Sequence, residues 1–207
     1  RQFIVAALTP EEGFASLSDA TALFKEANVT DLIIDLRYNG GGLLSVADTM
    51  MDLLAGLTAE GEPSFKIQVN DQHPDFNEDT DNWGLFDELP ETFSPIRIAF
   101  ITSGSTASAS ELVINGLDPH VEVVMVGENS FGKQVGQGRW DMHDSIEGLE
   151  REDCDVALRL TAFEIVNGEN QGGYHQVGLE GTGRFTLCAA QDDIFNAFGD
   201  PRETLVA

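Results

Sequence analysis

The residues of this chain best suited to chemistry are a serine set among alanines, Thr106-Ala107-Ser108-Ala109-Ser110-Glu111, and an isolated lysine, Lys133, that follows Gly132. A serine hydroxyl is a weak nucleophile until a base takes its proton, and a neutral amine can be that base. The small neighbours leave room for a carbonyl beside Ser108, and the start of a following helix would favour negative charge there. Val126, Phe131 and Val135 would desolvate the Lys133 amine and favour its neutral form. With only 11 Lys+Arg in 207 residues, a lysine after an apolar strand stands out. Ser105 and Ser110 are competing hydroxyls, either of which could instead cap the helix.

A third feature, Gly40-Gly41-Gly42, lets backbone come close to a ligand. Its N–H groups and the next helix would hold a phosphate or a developing oxyanion. For the oxyanion, the N–H of Ala109 would act with that of Gly41 or Gly42, and the sequence does not choose between the glycines. The competing motifs fail. Leu43 and Leu44 break a dinucleotide G-x-G-x-x-G pattern, and Gln134 stands where a P-loop needs a magnesium-binding hydroxyl. The acidic run 75–81 lacks the glycine and the closing glutamate of a calcium loop. His73, His120, His143 and His175 have no partner pattern. Cys154 and Cys188 lack zinc spacing and read either as one disulfide or as two buried thiols. No metal or cofactor is expected.

These residues need a scaffold that alternates strands and helices. Strands are expected at 2–8, 31–36, 65–69, 96–102, 121–127, 135–140 and 156–166, and helices at 16–27, 43–54 and 107–117. Residues 71–92 read as an irregular acidic excursion or lid, and 168–183 as a glycine-rich loop. Helical turns are expected at 194–198, capped by Asp192 or Asp193, and at 201–206. Alternation of this kind predicts one α/β domain over 1–207, closed by an extension at 167–207. The net charge of −25 disfavours nucleic acid and anionic membrane as partners, and weakly suggests an extracytoplasmic setting. No apolar run approaches the ~20 residues of a membrane span.

Taken together, Asp35-Leu-Arg-Tyr-Asn-Gly-Gly-Gly42, Thr106-Ala-Ser-Ala-Ser-Glu111 and Gly127-Glu-Asn-Ser-Phe-Gly-Lys-Gln-Val-Gly-Gln137 resemble the carboxy-terminal processing (tail-specific) serine peptidases. The resemblance covers about residues 1–166, and the ending resembles periplasmic members from Gram-negative bacteria. It implies a crotonase-like α/β fold of repeated ββα units and a peptide or protein substrate. It also implies Ser108 as nucleophile, Lys133 as general base, Gln137 orienting the amine and Glu111 in support. The oxyanion amides would be Ala109 and one of Gly41 and Gly42. Periplasmic relatives further imply that Cys154 and Cys188 pair. Three departures are visible: no room for a PDZ domain, no Gly-Ile-x-Pro-Asp near the end (Val177-Gly-Leu-Glu-Gly181 is nearest), and Gln134 where many members have glycine. Two other readings compete: a non-catalytic module of the same fold that binds an apolar ligand or peptide, and an acyl-CoA enzyme of the crotonase type.

Overall fold

The computed structural model describes residues 10–141, 157–193 and 195–207. The expected strand at 2–8 and Cys154 lie outside them.

Apolar runs spread along the chain build a parallel sheet. Strands β1 (Asp31–Asp35), β4 (Arg97–Thr102), β5 (Glu122–Gly127) and β8 (Leu187–Ala189) lie in the order β1-β4-β5-β8. Asp31 pairs with Arg97 and Asp35 with Ile101, while Thr102 reaches Gly127. All four strands therefore end on one side, where the loops that carry chemistry emerge. Helix α1 (Pro10–Glu26) and helix α2 (Leu44–Ala59) flank β1 in sequence.

The second sheet is antiparallel. Its strands are β2 (Pro63–Gln68), β3 (Trp83–Leu85), β6 (Val135–Asp141) and β7 (Ala157–Asn167), in the order β3-β2-β7-β6. Helix α4 (Ala109–Leu117) is buried along its whole length and packs against α2, β2 and β7. Met51, Leu54, Phe100, Leu112, Ile114 and Met125 fill the core around it. Its polar residues Glu111 and Asn115 are buried as well and are satisfied by hydrogen bonds to neighbouring segments.

Residues 71–92 hold more regular structure than their composition suggests. They contain a short helix α3 (Pro74–Glu78), a 3-10 turn at Thr80–Asn82 and β3, which extends the second sheet beside β2. Asp79 accepts the Asp81 N–H and so caps the turn. The stretch ends bound to α2: the Asp87 N–H donates to Asp52, and the Phe93 N–H to the Leu53 carbonyl. The glycine-rich segment 168–183 is a loop closed by a 3-10 turn at Glu180–Thr182. Arg184 pins its end to α4 through Asp118 and Asn115. At the C-terminus there are turns rather than helices. Asp193 caps the first of them by accepting the Phe195 N–H at 2.8 Å.

Cys188 lies on β8 with an exposed, free thiol and so is not a buried one, while Cys154, its implied partner, lies outside the described residues. Among the described residues β8 pairs with β5 alone.

Candidate active site

Three segments converge beyond the carboxyl ends of β1, β4 and β5. The first is the sharp turn from β4 into α4. Ser108 sits just before the helix with φ 58° and ψ −120°. A non-glycine residue there costs about 1–3 kcal/mol, and such strain concentrates at functional sites. A serine on a strained strand-to-helix elbow presents its hydroxyl outward. Ser108 is half-buried, whereas Ser105 is exposed and Ser110 is buried in the helix, so the competing hydroxyls are in different surroundings.

The turn after β1 lies directly against this elbow. The Ala107 N–H donates to the Asn39 carbonyl, Thr106 Oγ1 donates to the Leu36 carbonyl, and the Tyr38 N–H donates to Ser103 Oγ. Gly41 has φ 92°, and a Cβ there would sit 2.6 Å from the Ala107 carbonyl oxygen and 2.7 Å from the Ala109 nitrogen. Only glycine permits this approach. The Gly41 N–H donates to Asn39 Oδ1 at 3.0 Å.

The lysine turn is the third segment, tied to the elbow through one side chain. Glu111, fully buried in the first turn of α4, accepts three main-chain N–H groups: Gly132 at 2.7 Å through Oε1, and Lys133 at 2.8 Å and Ser108 at 2.9 Å through Oε2. The amides of Ser108 and Lys133 thus lie within two hydrogen-bond lengths of each other, bridged by a single oxygen. Buried acceptors of this kind must be satisfied, and here the satisfaction fixes the separation of two segments.

Lys133 is half-buried and, among the described residues, forms no ion pair with a carboxylate. The neighbouring Phe131 is 61% exposed. Gln137 is exposed on β6 and makes no side-chain hydrogen bond to Lys133. Among the described residues no group of three or more His, Cys, Asp or Glu is placed to hold a metal.

Two supports are illegible in the sequence. Gln134, next to the lysine, is buried. Its Oε1 accepts the N–H groups of Gly173 (2.7 Å) and Tyr174 (3.0 Å), and its Nε2 donates to Glu164. The Gln176 N–H returns to the Gly132 carbonyl at 2.8 Å. Asn129 and Ser130 bind the same loop at Val177, Glu180 and Leu179. On the other side, Arg37 is buried at the end of β1. Its guanidinium donates to Asp35, Asp192 and Glu203, with the Phe198 ring stacked 4.3 Å away. Burial alone would lower its pKa, but the bonds to Asp35 and Glu203 outweigh that and raise it above the usual value.

Residues 10–182 match the model of peptidase family S41. The chain belongs to that family. It is 29% identical over 119 residues to a carboxy-terminal-processing protease of Bartonella bacilliformis, a match that covers 58% of this chain and 25% of the relative. Among solved S41 folds, a putative S41 protease from Bacteroides fragilis superposes with a TM-score of 0.75 at 22% identity, covering 99% of this chain and 50% of the other. The photosystem II D1 C-terminal processing protease superposes at 0.59 with 18% identity, covering 84% and 39%. The S41 domain described here thus spans a quarter of that Bartonella relative and half of the Bacteroides structure. Among the described residues no helix is long and apolar enough to cross a membrane.

Proposed function

We propose that the chain is a serine endopeptidase that works through a Ser108–Lys133 dyad and an acyl-enzyme. The observation that carries this reading is the Glu111 oxygen shared by the amides of Ser108 and Lys133. Lys133 accepts the Ser108 proton as Oγ attacks the peptide carbonyl, then returns it to the departing amine. Water, activated by the same amine, releases the acyl group. The oxyanion lies between the Ala109 N–H and the N–H of Gly42, because the Gly41 N–H is already committed to Asn39. Gly41 serves by its lack of a side chain, which lets the loop reach the elbow. Gln137 has its amide free to engage either the amine or the substrate.

The scaffold is read as crotonase-like, the substrate as a protein processed near its carboxyl terminus, and the setting as periplasmic or otherwise extracytoplasmic in a bacterium. Family membership and the likeness to named carboxy-terminal processing proteases support these finer assignments.

Intact-mass measurement after treatment with a serine-reactive fluorophosphonate tests the dyad. One adduct is expected on the wild type and none on Ser108→Ala or Lys133→Ala. Loss of the base should lower turnover by at least ~10²-fold. A Lys133→Ala protein that labels and cleaves normally would overturn the dyad, and a wild type without adduct would favour a binding module.

A further inference from the structure

At the carboxyl ends of β4 and β5 the strand ends, the turn after β1 and the C-terminal segment meet around a cavity of about 200 Å³. Its inner part is apolar. Gly127 and Leu205 are buried there, and Gly127 has φ 112°. A Cβ at Gly127 would lie 2.5 Å from the Thr102 carbonyl oxygen and 3.4 Å from Leu205, so the glycine leaves this space open.

The outer part is acidic and aromatic. Arg37 lines the cavity, but its charge is matched by the fully buried Glu203. Asp192 and Glu128 on the same wall are therefore surplus negative charge. Asp192 gives one oxygen to Arg37, and among the described residues its other oxygen accepts nothing. The Glu128 side chain accepts only the Gly104 N–H, at a long 3.5 Å. Beside them Tyr38 is 55% exposed, and its ring is held next to Phe198 with the centroids 6.4 Å apart.

Spare carboxylate oxygens next to an aromatic ring favour a cation. An anion would meet both carboxylates. A divalent metal needs about six oxygen ligands, and among the described residues no group of three or more His, Cys, Asp or Glu is placed to hold one. A cation with an apolar tail suits both parts of the cavity.

We propose that this cavity binds a primary alkylammonium group. Its N–H groups donate to Asp192 and Glu128, and the Tyr38 ring lies against the charge. The alkyl chain rests on Gly127 and Leu205. At about 30 Å³ per water in the liquid, the space suits a ligand of about six non-hydrogen atoms. A lysine side chain on a polypeptide and a free alkylamine share this chemistry. The Tyr38 N–H donates to Ser103 Oγ at 3.2 Å, so an occupant touches both the glycine turn and the loop leading into the elbow. Binding involves neither Ser108 nor Lys133, so the inference stands or falls apart from the peptidase reading.

The test is a titration of butylammonium chloride into isotope-labelled protein, followed by amide NMR at constant ionic strength. The Tyr38, Ser103 and Glu128 signals should shift and saturate, with Kd on the order of 1 mM. Butanol, with the same chain and no charge, should leave them in place. Glu128→Gln should weaken binding about tenfold, the scale of one charge-assisted hydrogen bond. Glu122→Gln removes the same charge from the opposite end of β5 and should leave Kd unchanged. In a second arm, N-acetyl-lysine methylamide replaces butylammonium. Equal affinity assigns the site to a lysine side chain, and binding of butylammonium alone assigns it to a free alkylamine. No saturation, equal binding of butanol, or equal weakening by Glu122→Gln and Glu128→Gln overturns the site. The butanol comparison uses the wild type, so it survives a misfolded variant.

Discussion

The two sides of the site are held by opposite kinds of force. On the glycine side, the turn that carries Gly41 and Gly42 is anchored by charge: one buried guanidinium gathers Asp35, Asp192 and Glu203. On the lysine side the anchors are mainly neutral: the Gln134 amide, Asn129 and Ser130 bind loop N–H and C=O groups, and Glu111 ties that side to the elbow. Buried ions tolerate no missing partner, because the one left behind keeps its desolvation cost. Neutral hydrogen bonds fail more gently, each lost bond leaving a polar group of modest penalty. The difference teaches where the site is brittle: the glycine side should fail as a whole, the lysine side by degrees.

The largest effect is therefore expected for Arg37→Met, which strands Asp192 and the fully buried Glu203. A loss of about 3–5 kcal/mol should appear in urea unfolding. Arg37→Lys should recover little of it, since an ammonium cannot reproduce the forked contacts. Recovery by lysine would show that charge alone holds this side. Next comes Gly41→Ala, whose Cβ meets the Ala107 carbonyl and the Ala109 amide at a positive φ. Strain of about 1–3 kcal/mol is expected. Displacement of the oxyanion donors should add a fall in kcat on the order of 10²-fold.

Gln134→Ala should be milder than Arg37→Met. It leaves the Gly173 and Tyr174 N–H groups without their acceptor, at about 1–3 kcal/mol, and should raise KM more than it lowers kcat. If Gln134→Ala proved as damaging as Arg37→Met, the contrast between the two sides would collapse. The smallest effect is a background that must be subtracted before any pH comparison. Burial pushes Asp52 up to about 7, with the nearby carboxylates Asp48 and Asp87 adding to the rise. The folded state thus holds that proton more tightly than the unfolded chain does. Its stabilisation is full below about pH 4 and is lost as pH rises through about 7. Asp52→Asn should flatten this part of a Tm-against-pH curve, and an unchanged slope would assign the effect elsewhere.

Most of the scaffold is legible in the sequence because it is written in local signals. The apolar runs at 31–36, 96–102 and 121–127 read as strands, and they are β1, β4 and β5, though β1 ends the strand order among the described residues and leaves Ile33 exposed. Helix α2 continues five residues past the expected Leu54, because Leu57 and Ala59 carry no stop signal. Two strands were hidden for physical reasons. β3 is three residues inside an acidic stretch, and β8 is three residues and largely exposed, so neither offers a period to detect. For the site, residue types pointed to Ser108, Lys133 and the glycines, and the capping position of Glu111 is local. Asp35 apart, the partners of Arg37 and Gln134 are not local, and no spacing rule links positions so far apart in the chain.

That long reach has a consequence in time. Arg37 and Glu203 are separated by 166 residues, so during synthesis the guanidinium has only its neighbour Asp35 until the segment that carries Asp192 and Glu203 has been made. Until then the turn that carries Gly41 and Gly42 is held by the elbow alone, and it gains its second hold when that segment arrives.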